Sequence, residues 1–231
     1  MVSECIVLAG GLGTRLRSAV PDLPKVMAPV AGKPFLHHII TFLEAQGVNR
    51  LVFSLGYLHE IIEAYVSKMF PALDMSFSVE TEPLGTGGAI QLALQHIQGE
   101  NAIIVNGDTL YKADLQGVSN YHISQKAACT LTLKGMRDFA RYGVVEIDAT
   151  GRVISFKEKK HYDQGLINGG VYVLNKQALL NLNLPLKFSF EKDYLEQFIY
   201  EQKIFGRRDD NYFIDIGIPE DFVKANVDLH I

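Results

Sequence analysis

The chain opens with Cys5-Ile6-Val7-Leu8-Ala9-Gly10-Gly11-Leu12-Gly13-Thr14-Arg15-Leu16, and Pro24-Lys25 follows. The first five residues are apolar, which is typical of a buried β-strand, and they lead directly into three glycines within four positions. Glycine lets backbone N–H groups approach a ligand closely, and consecutive N–H groups that point into one concavity bind an anion. Because Arg15 and Lys25 add two positive charges, the stretch predicts a strand that ends in a loop for holding a polyphosphate.

Two widespread phosphate loops match this stretch less well. The dinucleotide-binding fingerprint G-x-G-x-x-G requires a third glycine where Leu16 stands, and the Walker loop requires a lysine where Thr14 follows Gly13. A glycine-rich tight turn would need no ligand at all. The two cations favour the phosphate-binding interpretation, because charged side chains strengthen hydrogen bonding to an anion.

Strand-like and helix-like patterns alternate through the first half of the chain. Strands are predicted at 5–9, 51–55, 75–80 and 102–106, and helices at 34–46, 59–70 and 87–97. This order predicts an α/β protein with a Rossmann-like mixed, mostly parallel sheet and helices on both faces. The second half is predicted to complete the sheet with strands at 127–134, 143–147, 152–158 and 170–174, and with helices at 176–182, 191–202 and 219–227. Since no linker separates the two halves, 1–125 and 126–231, we predict one domain over 1–231.

Bulk composition narrows the classes of function. Of the 231 residues 48% are hydrophobic and 21% are charged, and the formal net charge is −4. The negative charge disfavours nucleic-acid binding, and no apolar run reaches the roughly 18 residues of a membrane span. No positive charge precedes the first apolar run, as it would in a secretory signal, and two thiols within apolar strands fit a reducing compartment. We therefore expect a cytoplasmic protein that binds neither nucleic acid nor membrane.

Two aspartates at predicted strand ends are candidate metal ligands. Asp108 follows the strand at 102–106, and Asp215 follows a further strand at 211–214. Each could instead terminate its strand or cap the next element. Because Mg²⁺ prefers one or two carboxylates together with substrate oxygens, two such carboxylates beside a phosphate loop favour a magnesium site.

Three further segments at strand ends permit either a functional or a structural interpretation. Residues 80–88 could meet a flat base or form a loop and helix cap. Residues 156–160 could place a lysine on a phosphate and Glu158 on a hydroxyl, or form a charged sheet edge. Residues 167–170 fit either a turn or a sugar contact.

Together these residues resemble the sugar-1-phosphate nucleotidyltransferases. The family signature G-G-x-G-T-R-L, followed by P-K and K-P, matches residues 10–16, Pro24-Lys25 and Lys33-Pro34. Further matches occur at 82–86, 107–108, 142–145, 156–159, 167–172 and 215–219, which covers nearly the whole chain. Lys160 replaces a frequent proline and Gly169 a frequent alanine, and both departures are mild.

The resemblance implies a nucleotidyltransferase fold, similar to that of the A-type glycosyltransferases, and nucleotidyl transfer from an NTP to a sugar 1-phosphate. It implies that Arg15 and Lys25 are catalytic, and that the nucleotide contacts are Leu8, Gly10, Gly11, Gly13, Glu80 and Gly85. It implies that Gly143, Glu158, Lys159 and Asn168 bind the sugar 1-phosphate, so that 1–125 is the nucleotide-binding half and 126–231 the sugar-phosphate-binding half. It assigns Mg²⁺ to Asp108 and Asp215.

Within the family, the motifs at 17–29, 33–36 and 188–193 look most like those of the D-glycero-D-manno-heptose 1-phosphate guanylyltransferases. This resemblance implies GTP and that heptose 1-phosphate as substrates, and an NDP-sugar for surface polysaccharide or glycan biosynthesis. Two alternatives stay open: the same reaction with UTP, CTP or dTTP and a hexose or amino-sugar 1-phosphate, and a non-catalytic nucleotide-sensing module. Glu191 and Arg141 could line the sugar pocket or be surface charges, and the many Tyr and Phe residues late in the chain would permit a homodimer.

Overall fold

The computed structural model of the chain describes residues 2–11 and 23–230. Its strands are β1 (Glu4–Leu8), β2 (Pro29–Val30), β3 (Lys33–Pro34), β4 (Arg50–Leu55), β5 (Asp74–Val79), β6 (Asn101–Asn106), β7 (Thr109–Tyr111), β8 (Cys129–Phe139), β9 (Val144–Ile147), β10 (Val153–Lys157), β11 (Tyr162–Asn175), β12 (Ile204–Arg208) and β13 (Phe213–Asp215). Its α-helices are α1 (Phe35–Ala45), α2 (His59–Met69), α3 (Gly85–Ala93), α4 (Leu115–Gln125), α5 (Lys176–Leu180) and α6 (Pro219–Asp228). Short 3₁₀ turns at Lys25–Met27 and Leu94–His96 and a π-helix at Phe190–Leu195 complete the elements of the described part.

Seven strands form the central sheet, in the order β12-β8-β11-β6-β1-β4-β5. Strand β11 runs antiparallel to β6 and β8, while the other neighbouring pairs of this sheet are parallel. The predicted mixed, mostly parallel sheet is therefore confirmed. Because ligands collect at the carboxyl ends of parallel strands, the loops that follow β1, β4, β5 and β6 lie where a site is expected.

Helices cover both faces of this sheet, as the sequence predicts. Successive residues of a strand point to opposite faces. In β1, Val7 packs into a core with Ile39 of α1 and Ile62 of α2, whereas its neighbour Ile6 packs into a second core with Ile90 of α3. Among the described residues, no helix is long and apolar enough to cross a membrane.

The sequence patterns missed α4, the edge strand β12 and three strands of two or three residues, β2, β3 and β7. Helix α4 has polar residues between its few buried positions, so its apolar periodicity is weak, but the Asp114 side chain caps it by accepting a hydrogen bond from Gly117 N at 2.8 Å. Strand β12 ends in Arg207-Arg208 and pairs with β8 at one edge of the sheet. Helix α4 lacks the apolar spacing of an amphipathic helix, and β12 lacks the alternation of a half-buried strand. The sequence pattern therefore does not predict them.

Two predicted elements differ from the structure in more than a few residues at one end or in the type of helix. Strand β11 begins at Tyr162 rather than at Gly170, and its register shifts between Asn168 and Tyr172, where the two glycines of the predicted turn form an irregularity inside the strand. The helix predicted at 191–202 is a six-residue π-helix followed by turns. In β11 the long-range pairing with β8 overrides the local turn signal.

Candidate active site

A cavity of about 1040 Å³ opens where β1, β4, β5 and β6 end. Seven residues that the sequence nominates for the site line it: Leu8, Gly10, Gly11, Lys25, Glu80, Gly85 and Asp108. They come from loops far apart in the chain, and the parallel strands bring them together. Two other nominated residues, Gly13 and Arg15, lie outside the described residues.

The loop after β1 lies directly against the loop after β4. Ala9 N donates to Ser54 O at 2.8 Å, and a β-carbon placed on Gly10 would lie 3.1 Å from Gly56 N and 3.1 Å from Glu80 Oε1. Glycine at position 10 therefore lets two backbone segments and a carboxylate meet in the cavity wall. A β-carbon on Gly11 would have no neighbour within 4 Å among the described atoms.

The turn after β5 holds a carboxylate in the cavity wall. Glu80 N donates to Leu55 O, and Glu80 Oε2 accepts a hydrogen bond from Leu84 N at 2.8 Å. Burial raises the pKa of Glu80 despite that hydrogen bond. One oxygen of this carboxylate is thus fixed by the turn, and the other lies on the side of Gly10.

Gly85 must be glycine for two reasons. Its φ is +73°, a region that favours glycine, and a β-carbon there would lie 2.6 Å from Phe188 O. Residues 84–88 therefore pack tightly against the segment around Phe188, which joins the base of α3 to the second half of the chain.

Asp108 and Asp215 come together through a two-stranded ribbon. Strands β7 and β13 pair Thr109 with Asp215, and Ile216 N donates to Asp108 O at 3.0 Å. Lys25 Nζ lies 2.5 Å from Asp108 Oδ2 and 4.0 Å from Asp215 Oδ1, and the lysine side chain is only 10% exposed. Two carboxylates that are distant in sequence therefore converge on one ammonium group.

Further hydrogen bonds fix the carboxylate of Asp215. Its Oδ2 accepts from Arg141 Nη2 and from Tyr142 OH, each at 3.2 Å, and its Oδ1 accepts from Gly217 N at 2.7 Å. Burial, and then the charge of Asp215, raise the pKa of Tyr142, so its hydroxyl stays protonated and can donate. Arg141 also pairs with Asp221 of α6. Among the described residues, no group of three or more His, Cys, Asp or Glu side chains is arranged to hold a metal ion.

The residues nominated for the sugar 1-phosphate lie outside the lining of this cavity. Gly143 and Glu158 lie close together, because β9 and β10 pair Val144 with Lys157 and a β-carbon on Gly143 would be 2.4 Å from Lys157 O. Lys159 is exposed beside them. Asn168 stands apart on β11 and bonds to Glu191.

Two parts of the cavity were not predicted. Residues 56–60, which form the loop after β4 and the start of α2, line it, and so does Asn106 at the end of β6. Both could have been found, because each follows or ends a parallel strand as the other lining residues do. The Asn106 side chain lies beside Gly170, whose φ is +72° and whose β-carbon would lie 2.6 Å from Asn106 Nδ2.

Comparison with known proteins gives matches over nearly the whole chain. The family model described as "Nucleotidyl transferase" matches residues 4–230. The D-glycero-alpha-D-manno-heptose 1-phosphate guanylyltransferase of Aneurinibacillus thermoaerophilus is 50% identical, with 98% of each chain covered. The enzyme of the same name from Campylobacter jejuni is 44% identical, covering 95% of this chain and 96% of its own. The crystal structure of HddC from Yersinia pseudotuberculosis complexed with GMP-PN has a TM-score of 0.88 at 38% identity, covering 98% of this chain and 99% of that one.

Proposed function

The chain belongs to the nucleotidyl transferase family, and from that membership we propose that it transfers the guanylyl group of GTP to D-glycero-alpha-D-manno-heptose 1-phosphate. The products are a GDP-heptose and pyrophosphate. The observation that carries the proposal is the 50% identity to a guanylyltransferase of that name, with 98% of both chains covered. The presence of GMP-PN in the HddC structure supports guanine as the base.

The proposed chemistry needs no general base. A phosphate oxygen of the sugar 1-phosphate attacks the α-phosphorus of GTP in line, the new P–O bond forms, and the bond to pyrophosphate breaks. Because the attacking phosphate is already anionic near neutral pH, catalysis consists of bringing two anions together and neutralising their charge.

Guanine recognition is assigned to Glu80. Guanine presents an N–H and an NH₂ group side by side, and an ionised carboxylate accepts hydrogen bonds from both. Glu80 lines the cavity with one oxygen fixed by Leu84 N, and its other oxygen lies beside Gly10 in the cavity wall. The backbone of Gly11, which lines the cavity, would bind the phosphates, with Gly13 and Arg15 assigned there from the sequence.

We assign to Lys25 the stabilisation of the negative charge that develops at the α-phosphate in the transition state. Its ammonium group lies in the wall of the cavity, and its neighbours Asp108 and Asp215 fix its position. A preorganised cation of this kind stabilises the transition state without having to rearrange during the reaction.

The donor set of the carboxylate pair fits Mg²⁺. Asp108 and Asp215 supply hard oxygen ligands that already face one cationic group, Lys25 Nζ, and Mg²⁺ binds through one or two carboxylates plus substrate oxygens. When bound, the ion would neutralise phosphate charge and stabilise the departing pyrophosphate. Arg141 and Tyr142 hold Asp215 Oδ2, which would fix the orientation of that carboxylate.

The sugar 1-phosphate is assigned to three residues that lie outside the lining of the cavity, Gly143, Glu158 and Lys159. Lys159 would contact the phosphate of this substrate, and Gly143 and Glu158 would contact its sugar ring. A cytoplasmic location is part of the same proposal, and the burial of the thiols of Cys5 and Cys129, both unpaired, is compatible with it.

Pyrophosphate release tests the proposal. The purified protein is given each of GTP, ATP, UTP and CTP with a panel of sugar 1-phosphates that includes the heptose and mannose compounds. We expect the fastest release with GTP and the heptose 1-phosphate. A different preferred pair would support the alternative substrates, and no release with any pair would support a nucleotide-sensing module.

A further inference from the structure

Asn168 uses both amide hydrogens within the protein. Its Nδ2 donates to Tyr172 OH at 2.8 Å and to Glu191 Oε1 at 2.9 Å, and its Oδ1 accepts from Gly170 N at 3.2 Å. A carboxamide has two N–H donors, so neither is left for a substrate hydroxyl. The side chain that Asn168 holds is therefore better placed to meet a substrate than Asn168 itself.

The orientation of the Asn168 amide is well determined. Gly170 N can only donate and the Glu191 carboxylate accepts, so the oxygen and nitrogen of the amide cannot be exchanged without losing both bonds. Tyr172 is buried, and burial raises its pKa well above the ordinary value. Its hydroxyl therefore stays neutral, and its oxygen accepts the hydrogen bond from Asn168.

The backbone that carries Glu191 is held by the nucleotide side of the molecule. Phe188 N donates to Leu84 O at 3.0 Å, Gly87 N donates to Phe188 O at 3.0 Å, and Phe190 N donates to Thr86 Oγ1 at 3.0 Å. The bonded partners belong to residues 84–87, which follow the Glu80 turn. Glu191 is thus fixed from the cavity side by its backbone and from the β11 side by Asn168.

We propose that Glu191 selects the sugar, accepting hydrogen bonds from its hydroxyl groups, and that Asn168 is a positioning residue that fixes the Glu191 carboxylate. This inference rests on the proposed function. Glu191 Oε1 is bound to Asn168, while Oε2 accepts no hydrogen bond from any described residue, and the side chain is exposed. An ionised carboxylate is purely an acceptor, which suits the hydroxyl donors of a sugar.

The test compares Glu191→Gln and Asn168→Ala with the wild type and with Glu44→Gln, an exposed carboxylate of α1. Glutamine keeps the shape of Glu191 and an acceptor for Asn168 but loses the charge. We expect Glu191→Gln to raise the KM for the sugar 1-phosphate roughly ten- to hundredfold, the range for a hydrogen bond to a charged group, while the KM for GTP stays within about twofold. Calorimetric titration with the sugar 1-phosphate should show the same loss.

Deoxy analogues and a double variant sharpen the test. A deoxy sugar 1-phosphate that lacks the contacted hydroxyl should react equally well with wild type and Glu191→Gln. The Asn168→Ala/Glu191→Gln double variant should lose little more than Glu191→Gln alone, because positioned and positioning residues act as one unit. An unchanged sugar KM in Glu191→Gln, or equal rises in both KM values, overturns the inference while the wild type remains active. Failure of the proposed function itself would appear as an inactive wild type.

Discussion

Lys25 Nζ and Asp108 Oδ2 lie 2.5 Å apart although 83 positions separate the two residues in the chain. The contact exists because β1 and β6 are parallel neighbours, so the segments that follow them leave the sheet at the same edge. An ion pair in which the lysine side chain is only 10% exposed fixes the ammonium group in the cavity wall. The positive charge is thereby placed before any substrate arrives.

Lys25→Ala should lower kcat roughly 100-fold or more and change the KM for GTP little, because a preorganised charge acts mainly on the transition state. Steady-state pyrophosphate release measures both constants, with Lys68→Ala, an exposed lysine of α2, as the control. Unchanged turnover, or equal effects on kcat and KM, would exclude the role assigned to Lys25.

Asp108→Asn should raise the Mg²⁺ concentration needed for half-maximal activity by about tenfold, since a neutral amide is a weaker ligand for a hard cation than a carboxylate. The measurement is a Mg²⁺ titration at saturating substrates, combined with Mn²⁺ binding followed by electron paramagnetic resonance. If wild type and variant show the same metal dependence, Asp108 is not a ligand.

Glu80→Gln should reduce the preference for GTP over UTP about tenfold or more, because glutamine offers one acceptor and one donor where guanine presents two donors. Since burial raises the pKa of Glu80, the wild-type carboxylate becomes protonated at a higher pH than usual. The KM for GTP should therefore rise as the pH falls toward that pKa, and the rise should be absent from Glu80→Gln. A variant that keeps both the base preference and the pH profile would remove Glu80 from base recognition.

Much of the fold and of the cavity could be predicted from local patterns. The apolar strands at 5–9, 51–55 and 102–106 alternate with helices, and this order alone implies a parallel sheet with one functional edge. Glu80 ends the strand predicted at 75–80 and Asp108 follows the strand at 102–106, and the structure places both in the lining of one cavity, as the pattern predicts. Their roles, by contrast, stay predictions until they are measured.

The rest depends on contacts that leave no local pattern. Asn168 meets Glu191 across 23 positions because the segment carrying Glu191 is bonded to residues 84–87 and ends in a π-helix. Arg141 reaches Asp215 across 74 positions through a loop between two strands. Such hydrogen bonds form only where the fold brings distant segments together. Hydrophobic periodicity is a local property of the sequence and does not predict them.

A buried histidine on the opposite side of the sheet predicts how stability changes with pH. His122 is 1% exposed between Thr130 Oγ1 and Asn101 Oδ1, and burial lowers its pKa from 6.5 to about 4. Between these values the unfolded chain binds a proton that the folded chain does not, so the contribution is present above pH 6.5 and is lost as the pH falls toward 4. The loss from pH 7 to pH 5 should be about 2 kcal/mol. Urea unfolding at pH 7 and pH 5 should show this loss in the wild type and in His161→Gln, an exposed control. His122→Gln should be less stable at pH 7, but its free energy of unfolding should fall by about 2 kcal/mol less than that of the wild type between pH 7 and pH 5. An equal pH dependence in all three proteins would mean that folding does not lower the pKa of His122.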